Sequence, residues 1–205
     1  MVVRPGIAGI LLAAGAGSRL GQPKALVEVA GLRLVDRGIG LLRAGGTDPV
    51  VVVTGAAEVD PPGTLVVHNP EWRTGMGSSL VAGLTALGAQ PEAIGAAVIA
   101  LADQPLIGPE SVRRLIAAHA AGASVATATY GGRPRNPVLI AREHWDEVMA
   151  MAQGDVGARP FLRAHPELIT PVECDDTGSP EDIDTPEQLA RVASALGADR
   201  PGLRA

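Results

Sequence analysis

Two basic residues stand in a glycine-rich segment near the start of the chain, Ile10–Leu26, whose sequence is ILLAAGAGSRLGQPKAL. Glycines let a backbone turn sharply and bring its N–H groups close to an anion. Arg19 can grip phosphate oxygens through two N–H groups, and Lys24 can place a point charge beside a transferring phosphoryl group. The segment therefore predicts a nucleoside triphosphate site; the alternative is a flexible turn with two solvated charges.

Two well-known glycine motifs do not fit this segment. The dinucleotide fingerprint G-x-G-x-x-G needs a third glycine where Leu20 stands, and it needs a direct run into a helix, which Pro23 prevents. The phosphate-binding pattern G-x-x-x-x-G-K-[ST] fails because Gln22 and Pro23 separate Gly21 from Lys24. The residues therefore favour a phosphate cradle of another class.

A candidate metal ligand follows a buried strand. Asp103 comes directly after the apolar run AAVIALA. In an open parallel sheet, ligands bind beyond the carboxyl ends of the strands, and Mg²⁺ prefers hard oxygen ligands. We therefore expect Asp103 to hold Mg²⁺. The alternative is a turn-capping aspartate, although the next helix is predicted to begin only near Pro109.

The elements that must position these residues alternate along the chain. Continuous apolar runs predict strands buried on both faces of a sheet, and amphipathic segments ending at glycines predict helices. The predicted strands are 7–12, 50–54, 64–68, 96–102, 124–130 and 136–140, with 131–135 as a loop between the last two. The predicted helices are 32–46, 76–88, 109–122, 142–151, 157–165 and 185–197, the last with Thr185 as its cap.

This alternation is typical of a layered α/β fold with a mostly parallel twisted sheet and helices on both faces. No linker-like segment divides the chain, so we expect one domain over residues 1–205, with a core from about 7 to 195.

The composition excludes several classes of protein. With 17 basic and 22 acidic residues, the net charge of −5 argues against a face that binds nucleic-acid backbone. Cys174 is the only cysteine, so no intrachain disulfide can form. Breakers interrupt every apolar run before it reaches about 18 residues, so no membrane span is expected. We expect a cytoplasmic protein.

The motifs also carry a family resemblance. LLAAGAGSRLGQPKAL resembles the pattern L-A-A-G-x-G-x-R-[ML]-G-x-x-K of nucleotidyltransferases related to sugar-nucleotide pyrophosphorylases. The further segments NPEWRTGMGSSLVAGL, ALADQPLI, RNPVLI, GDVGARPFL and DIDTPEQL, in this order, resemble the molybdenum cofactor cytidylyltransferase group of MobA-like proteins. The match runs from about Ile7 to Ala195. It implies a Rossmann-like nucleotidyltransferase fold.

The resemblance implies a reaction and a set of site residues. A phosphate of molybdopterin attacks the α-phosphorus of a nucleoside triphosphate, expected to be CTP, and pyrophosphate leaves with the help of Mg²⁺. The implied catalytic residues are Lys24, Arg19 and Asp103, and the implied metal ligands are Asp103 and Asp184. The implied nucleotide-binding residues are Leu12, Ala13, Ala14, Gly15, Gly17, Ser18, Arg19, Lys24, Gly75 and Ser79. The implied acceptor-binding residues are Gln104, Pro105, Asn136, Asp155, Gly157 and Arg159.

Several of these residues have a simpler interpretation. Asp184 by itself could be a solvated residue near a helix start, with Asp182 as a neighbouring alternative. Ser78 or Ser79 could be a plain helix cap. If Asp103 and Asp184 share an ion, we expect the two carboxylates to repel each other without it. Arg135 stands where related sequences often have glycine, which leaves the acceptor open.

Two other functions remain open at this point. One is nucleotidyl transfer to a different phosphorylated acceptor, such as a sugar phosphate. The other is a non-catalytic protein that binds the finished molybdenum cofactor and delivers it to a molybdenum-dependent dehydrogenase. The presence of Lys24, Asp103 and Asp184 together favours catalysis.

Overall fold

Seven strands form one sheet in the computed structural model, which describes residues 6–90 and 94–198. A separate two-stranded hairpin lies between the first and second strands of that sheet in the sequence. The strands are β1 (Gly6–Leu12), β2 (Glu28–Val29), β3 (Leu32–Arg33), β4 (Val50–Thr54), β5 (Leu65–His68), β6 (Ile94–Leu101), β7 (Val125–Tyr130), β8 (Arg133–Ala141) and β9 (Ile169–Glu173).

The sheet is mostly parallel, as predicted. Its order is β5-β4-β1-β6-β8-β7-β9, and β8 is antiparallel to both of its neighbours. The carboxyl ends of β1, β4 and β6 therefore meet at one edge of the sheet. Because β8 runs the opposite way, its first residues lie at this same edge. This edge carries the candidate site.

Helices cover both faces of the sheet, which confirms the predicted layered α/β fold. They are α1 (Leu34–Gly45), α2 (Met76–Gly88), α3 (Pro109–Ala120), α4 (Trp145–Met151), α5 (Arg159–Ala164) and α6 (Pro186–Ala198). One apolar cluster joins α1 and α3 to one face, and a second joins α2, α4 and α5 to the other. Among the described residues, no helix is both long and apolar enough to cross a membrane.

The apolar runs are buried on both faces for a simple geometric reason. Successive side chains of a strand point to opposite faces. In β1, Leu11 joins the cluster beneath α1 and α3, whereas Ile10 and Leu12 join the cluster beneath α2. All five residues of β4 are buried. Continuous apolar sequence is therefore what a central parallel strand requires.

Two parts of the sheet differ from the prediction. The segment 131–135 was predicted as a loop, but only Gly131 and Gly132 form the turn, and β8 begins at Arg133. Arg133, Pro134 and Arg135 pair with β7 and extend past the end of the β6–β8 pairing. Pro134 is tolerated because this part of β8 has no second neighbour that needs its N–H. Strand β9 and the β2–β3 hairpin were not predicted at all.

Candidate active site

The glycine-rich segment leaves β1 as a loop and closes on itself. The N–H of Leu20 donates to the carbonyl of Gly17 at 2.8 Å, and the N–H of Lys24 donates to the carbonyl of Gly15 at 3.1 Å. Gly17 has a φ of +58°, and a Cβ there would lie 2.1 Å from the carbonyl oxygen of Gln22. The loop conformation therefore requires glycine at position 17. It folds the chain back so that Lys24 faces the edge of the sheet.

The ammonium of Lys24 lies between two carboxylates. Its Nζ is 2.6 Å from Oδ2 of Asp103 and 2.5 Å from Oδ1 of Asp184. Burial alone would lower the pKa of Lys24, but the charge of Asp103 and the hydrogen bonds to Asp103 and Asp184 outweigh it and raise the pKa. Lys24 is therefore held in its charged form. The structure thus brings together three predicted site residues from distant parts of the sequence.

Two local arrangements position the carboxylates. Asp103 follows β6, and its carbonyl accepts the N–H of Ile183 at 2.9 Å, which fixes the segment before α6 against the end of that strand. At the start of α6, Oε1 of Gln188 accepts the N–H groups of Asp184 and Thr185 at 2.8 and 2.9 Å. The hydroxyl of Thr185 accepts the N–H of Gln188 in return, at 3.3 Å. This reciprocal cap confirms Thr185 as the helix cap and anchors the backbone of Asp184.

The carboxylates of Asp103 and Asp184 suit a divalent cation whose other ligands are phosphate oxygens. Oδ1 of Asp103 is buried and has no hydrogen-bond partner, so one lone-pair acceptor is available for a ligand. Within the described residues, no group of three or more His, Cys, Asp or Glu could hold a metal. Two carboxylates are what Mg²⁺ uses when substrate phosphates and water complete its coordination.

The structure corrects the expected repulsion between the carboxylates. Asp103 and Asp184 do not face each other unscreened, because the ammonium of Lys24 contacts both. Removing one carboxylate therefore breaks an ion pair rather than relieving a like-charge contact. Asp182, the neighbouring alternative, has its Oδ1 bonded to Nε2 of Gln104 at 2.7 Å instead.

A cavity of about 220 Å³ extends from Lys24 along the carboxyl edge of the sheet. Nine of the predicted site residues line it: Leu12, Ala13, Ala14, Gly15, Lys24, Gly75, Ser79, Asp103 and Asp155. Four residues that were not predicted complete the wall: Trp72, Met76, Leu101 and Ala102. The cavity is walled mainly by small and apolar residues, with its charged groups at Lys24, Asp103 and Asp155. Such a concave site with few polar groups is typical of small-molecule binding.

Comparison with known proteins identifies the family. The model of the MobA-like NTP transferase domain matches residues 9–168. The chain belongs to this family. It is 36% identical over 204 residues to nicotine blue oxidoreductase of Paenarthrobacter nicotinovorans, covering 92% of this chain and 97% of that protein. It is 31% identical over 211 residues to molybdenum cofactor guanylyltransferase of Rhodobacter capsulatus, covering 95% and 99%.

Solved structures agree with this assignment. The Rv0371c protein of Mycobacterium tuberculosis H37Rv has a TM-score of 0.79 and 25% identity, with 94% of this chain and 100% of that chain covered. A nucleotidyl transferase of Methanothermobacter has a TM-score of 0.78 at 23% identity, with 95% and 99% covered, and shares the fold. By its match to the family model, the chain is a nucleotidyltransferase of the MobA-like type. A related Rv0371c structure at 24% identity, with a TM-score of 0.76, is a complex with manganese.

In this MobA-like domain, the start of α2 forms the far wall of the cavity. The helix begins at Met76, so neither Ser78 nor Ser79 is its cap, and that interpretation was wrong. The Ser79 hydroxyl accepts Nδ2 of Asn69 at 3.0 Å and keeps its own proton for another partner. Its side chain lies on the cavity wall and can therefore donate to a bound nucleotide.

The segment after α4 closes over the start of α2. Gly75 has a φ of +117°, and a Cβ there would lie 2.3 Å from the carbonyl carbon of Gly154 and 2.7 Å from Oδ1 of Asp155. Gly157 packs against Met76, because a Cβ at that glycine would lie 3.1 Å from the Met76 sulfur. Asp155, predicted on the acceptor side, therefore shares a wall with the nucleotide-binding candidates.

The remaining predicted residues lie outside the cavity wall. The side chains of Arg19 and Arg159 are exposed and make no hydrogen bond or ion pair within residues 6–90 and 94–198. Gln104 is buried, and its Nε2 donates to Asp182 and to the carbonyl of Pro180, so this side chain braces the segment that carries Asp184. Five more predicted residues do not line the cavity: Gly17, Ser18, Pro105, Asn136 and Gly157. Asp184 does not line it either, although it contacts Lys24, which does.

The tryptophans divide between packing and the site. Trp145 is buried, and its Nε1 donates to the carbonyl of Ile140 at 3.1 Å. Trp72 lies on the cavity wall, and the Arg73 guanidinium covers its ring at 4.4 Å. Trp72 is part of the NPEWRTGMGSSLVAGL segment that carries the family resemblance, and aromatic rings offer faces on which bases stack, so the sequence contained a signal for this residue.

Proposed function

We propose that this MobA-like nucleotidyltransferase transfers CMP from CTP to the phosphate of molybdopterin and releases pyrophosphate. The observation that carries the proposal is the contact of Lys24 with both Asp103 and Asp184 at the mouth of the cavity. A cation and two carboxylates at the carboxyl edge of a parallel sheet suit phosphoryl chemistry. The molybdopterin acceptor is supported by the likeness to a molybdenum cofactor guanylyltransferase.

The reaction requires positioning and charge neutralisation rather than a covalent nucleophile. An oxygen of the acceptor phosphate attacks the α-phosphorus, and the bond from that phosphorus to the bridging oxygen of the β-phosphate breaks. The electron pair leaves with pyrophosphate. Lys24 and Arg19 neutralise the charge on the triphosphate as it develops, and the loop glycines Gly15 and Gly17 allow the backbone to approach it.

Asp103 and Asp184 are the residues that would hold Mg²⁺. The ion would neutralise negative charge shared among the triphosphate oxygens and so favour departure of pyrophosphate. The unpaired Oδ1 of Asp103 supports this role. Asp184, with 43% of its side chain exposed, remains accessible to a ligand that arrives from solvent.

The lining of the cavity favours a pyrimidine. Ala13, Ala14 and Ser79 are short residues on its wall, which suits a small base. Trp72 offers a ring face for stacking, and the Ser79 hydroxyl can donate a hydrogen bond to the base. GTP is the alternative donor, because a guanylyltransferase is among the relatives.

The acceptor is proposed to bind outside the cavity, toward the amino-terminal end of β8 and the start of α5. Asn136, Gly157 and Arg159 lie in these segments, with Gln104 and Pro105 beyond Asp103. Arg159 is exposed and unpaired among the described residues, so its charge is available to an anionic phosphate. A sugar phosphate is the alternative acceptor.

A second candidate function is oxidoreduction, and one observation favours it. A relative with 36% identity over nearly the whole chain is named nicotine blue oxidoreductase. The two functions make different demands on Lys24 and Asp103, because hydride or electron transfer does not require a cation flanked by two carboxylates. We rank nucleotidyl transfer first for that reason.

The test is a screen of purified protein with each of the four nucleoside triphosphates against molybdopterin and several sugar phosphates, in Mg²⁺ and in Mn²⁺. Pyrophosphate release that requires both CTP and molybdopterin supports the proposal. Release with a sugar phosphate selects the alternative acceptor. No release in any combination, together with oxidation of a nicotinamide or flavin donor by a dye, would select oxidoreduction. If the protein catalyses neither reaction but binds the finished molybdenum cofactor, it is a delivery protein.

A further inference from the structure

The ammonium of Lys24 occupies the position that a shared metal ion needs. Its Nζ contacts both Oδ2 of Asp103 and Oδ1 of Asp184, at 2.6 and 2.5 Å. Mg²⁺ binds carboxylate oxygens at roughly 2.0–2.1 Å. An ion held by these same two oxygens would therefore lie within the volume of the ammonium. The two cations exclude each other by space and by charge.

We propose that Lys24 is the resident cation of the Asp103–Asp184 pair in the metal-free protein, and that a divalent ion enters only as Lys24 moves onto the triphosphate. The inference rests on the proposed function for the identity of the triphosphate. It gives Lys24 two alternating partners, the carboxylates before the nucleotide binds and phosphate oxygens afterwards.

The surroundings of Lys24 leave room for this exchange. Its stem passes over Gly15, where a Cβ would lie 3.4 Å from Cδ of the lysine, and both residues line the cavity that would receive the nucleotide. Lysine carries its charge on a flexible four-carbon chain, so the ammonium can change partners without a change of backbone. About 19% of the Lys24 side chain is exposed.

The carboxylates are likewise positioned to bind a divalent ion once Lys24 has left. Oδ1 of Asp103 is buried without a partner while Oδ2 is bonded to Lys24, so the carboxylate has acceptor capacity that the lysine does not use. The backbone of Asp184 is fixed by Gln188, which leaves the carboxylate in place when Lys24 departs. The pair is therefore built before the ion arrives.

This arrangement couples the two ligands. A divalent ion alone must displace an ammonium that gains no new partner, so its affinity for the free protein is low. A triphosphate gives Lys24 a new partner, and the metal and the nucleotide should therefore bind with positive cooperativity. Because such coupling is reciprocal, each ligand should raise the affinity of the other by the same factor.

The experiment is a titration of nucleotide-free protein with Mn²⁺, in which electron paramagnetic resonance measures the free ion. The variants are Lys24→Met and Lys24→Gln, and the matched control is Arg19→Gln, which removes one positive charge from the same loop without touching the carboxylates. We expect Lys24→Met to bind Mn²⁺ about 10-fold more tightly than the wild type, because the competing cation is gone. Arg19→Gln should stay within about twofold of the wild type.

A second titration adds α,β-methylene-CTP, which cannot be cleaved to pyrophosphate. In the wild type it should raise Mn²⁺ affinity by about 10-fold or more, and in Lys24→Met by clearly less. If a lysine variant is unstable without metal, the rise in Tm caused by Mn²⁺ replaces the titration, and it should be larger in Lys24→Gln than in the wild type.

Equal or weaker Mn²⁺ binding in both lysine variants overturns the inference, as does an equal gain in Arg19→Gln. The nucleotide-free titration does not depend on turnover. If the wild type releases no pyrophosphate in the screen while the lysine variants still bind Mn²⁺ more tightly, the proposed function fails and the resident-cation inference stands.

Discussion

The proposed nucleotide end of the site, around Lys24, and the proposed acceptor end, around Arg159, differ in how firmly their charged groups are held. At the nucleotide end, Lys24 is bonded to both Asp103 and Asp184, and side-chain and backbone hydrogen bonds fix the segments that carry them. At the proposed acceptor end, the side chain of Arg159 is exposed and makes no hydrogen bond or ion pair to any described residue, and the same is true of the side chain of Arg133 in β8.

This difference indicates which step of the reaction the fold determines by itself. The end proposed to bind the triphosphate is preorganised, because its charges already have geometry and partners before a ligand arrives. At the proposed acceptor end, we expect the bound acceptor to order the charged groups. A less constrained acceptor end would fit a family whose members carry names as different as guanylyltransferase and oxidoreductase.

Replacing Asp103 with Asn should give the largest effect, because it removes one charge from the preorganised end while keeping the shape of the side chain. We expect turnover to fall on the order of 10²-fold or more. The metal-free protein should lose stability rather than gain it, since the ion pair with Lys24 is lost. Pyrophosphate release and the Tm without metal measure both. Asp184→Asn, with a more exposed carboxylate, is the control and should be milder.

Lys24→Ala comes next and tests whether the cation acts on the transferred group. Turnover should fall by about 10²-fold, with a smaller change in nucleotide affinity, because the charge is needed most in the transition state. Arg19→Ala, which is exposed in the same loop, should place a larger share of its effect on nucleotide binding. Steady-state kinetics and direct nucleotide titration separate the two. Normal turnover of Lys24→Ala would remove it from the mechanism.

The sequence predicted the central strands of the sheet far better than the strands on the β8–β9 side. Continuous apolar runs identified β1, β4 and β6 because strands buried on both faces have that pattern. Strand β9 was missed because Ile169–Glu173 is an outermost strand of the sheet, is partly exposed and contains Pro171. Pro134 likewise made the first residues of β8 read as a loop.

The contacts within the site could be predicted only in part. Position at the end of β6 and the family motifs pointed to Asp103 and Asp184, but nothing in the spacing shows that Lys24 bonds to an aspartate 160 residues away. The placement of Asp155 depends on how the segment after α4 packs on α2, which is a tertiary contact. Local patterns do not specify such contacts.

Gly75→Ala tests the contact between the start of α2 and the segment that follows α4. The added Cβ would clash with Gly154, and the φ of +117° is unfavourable for any residue with a side chain. We expect a loss of about 1–3 kcal/mol in the free energy of unfolding. Gly88→Ala, at the other end of the same helix, meets no atom within 4 Å and should be neutral or slightly stabilising. Equal denaturant midpoints for the two variants would contradict the packing described for this junction.

Arg159→Ala should have the smallest effect and should be confined to the acceptor. Because the guanidinium has no partner in the described protein, its loss should leave stability within about 0.5 kcal/mol. The KM for the acceptor should rise several-fold, while the KM for the nucleotide stays unchanged. Arg163→Ala, on the last turn of the same helix, is the matched control and should change neither constant. An equal rise in both KM values would place Arg159 with the nucleotide.

The most direct test of nucleotidyl transfer follows the label of α-³²P CTP in the presence of molybdopterin and Mg²⁺. The account predicts that one label enters the acceptor for each pyrophosphate released, and that Asp103→Asn loses both products together. Pyrophosphate release without label in the acceptor, or wild-type transfer by Asp103→Asn, would contradict it.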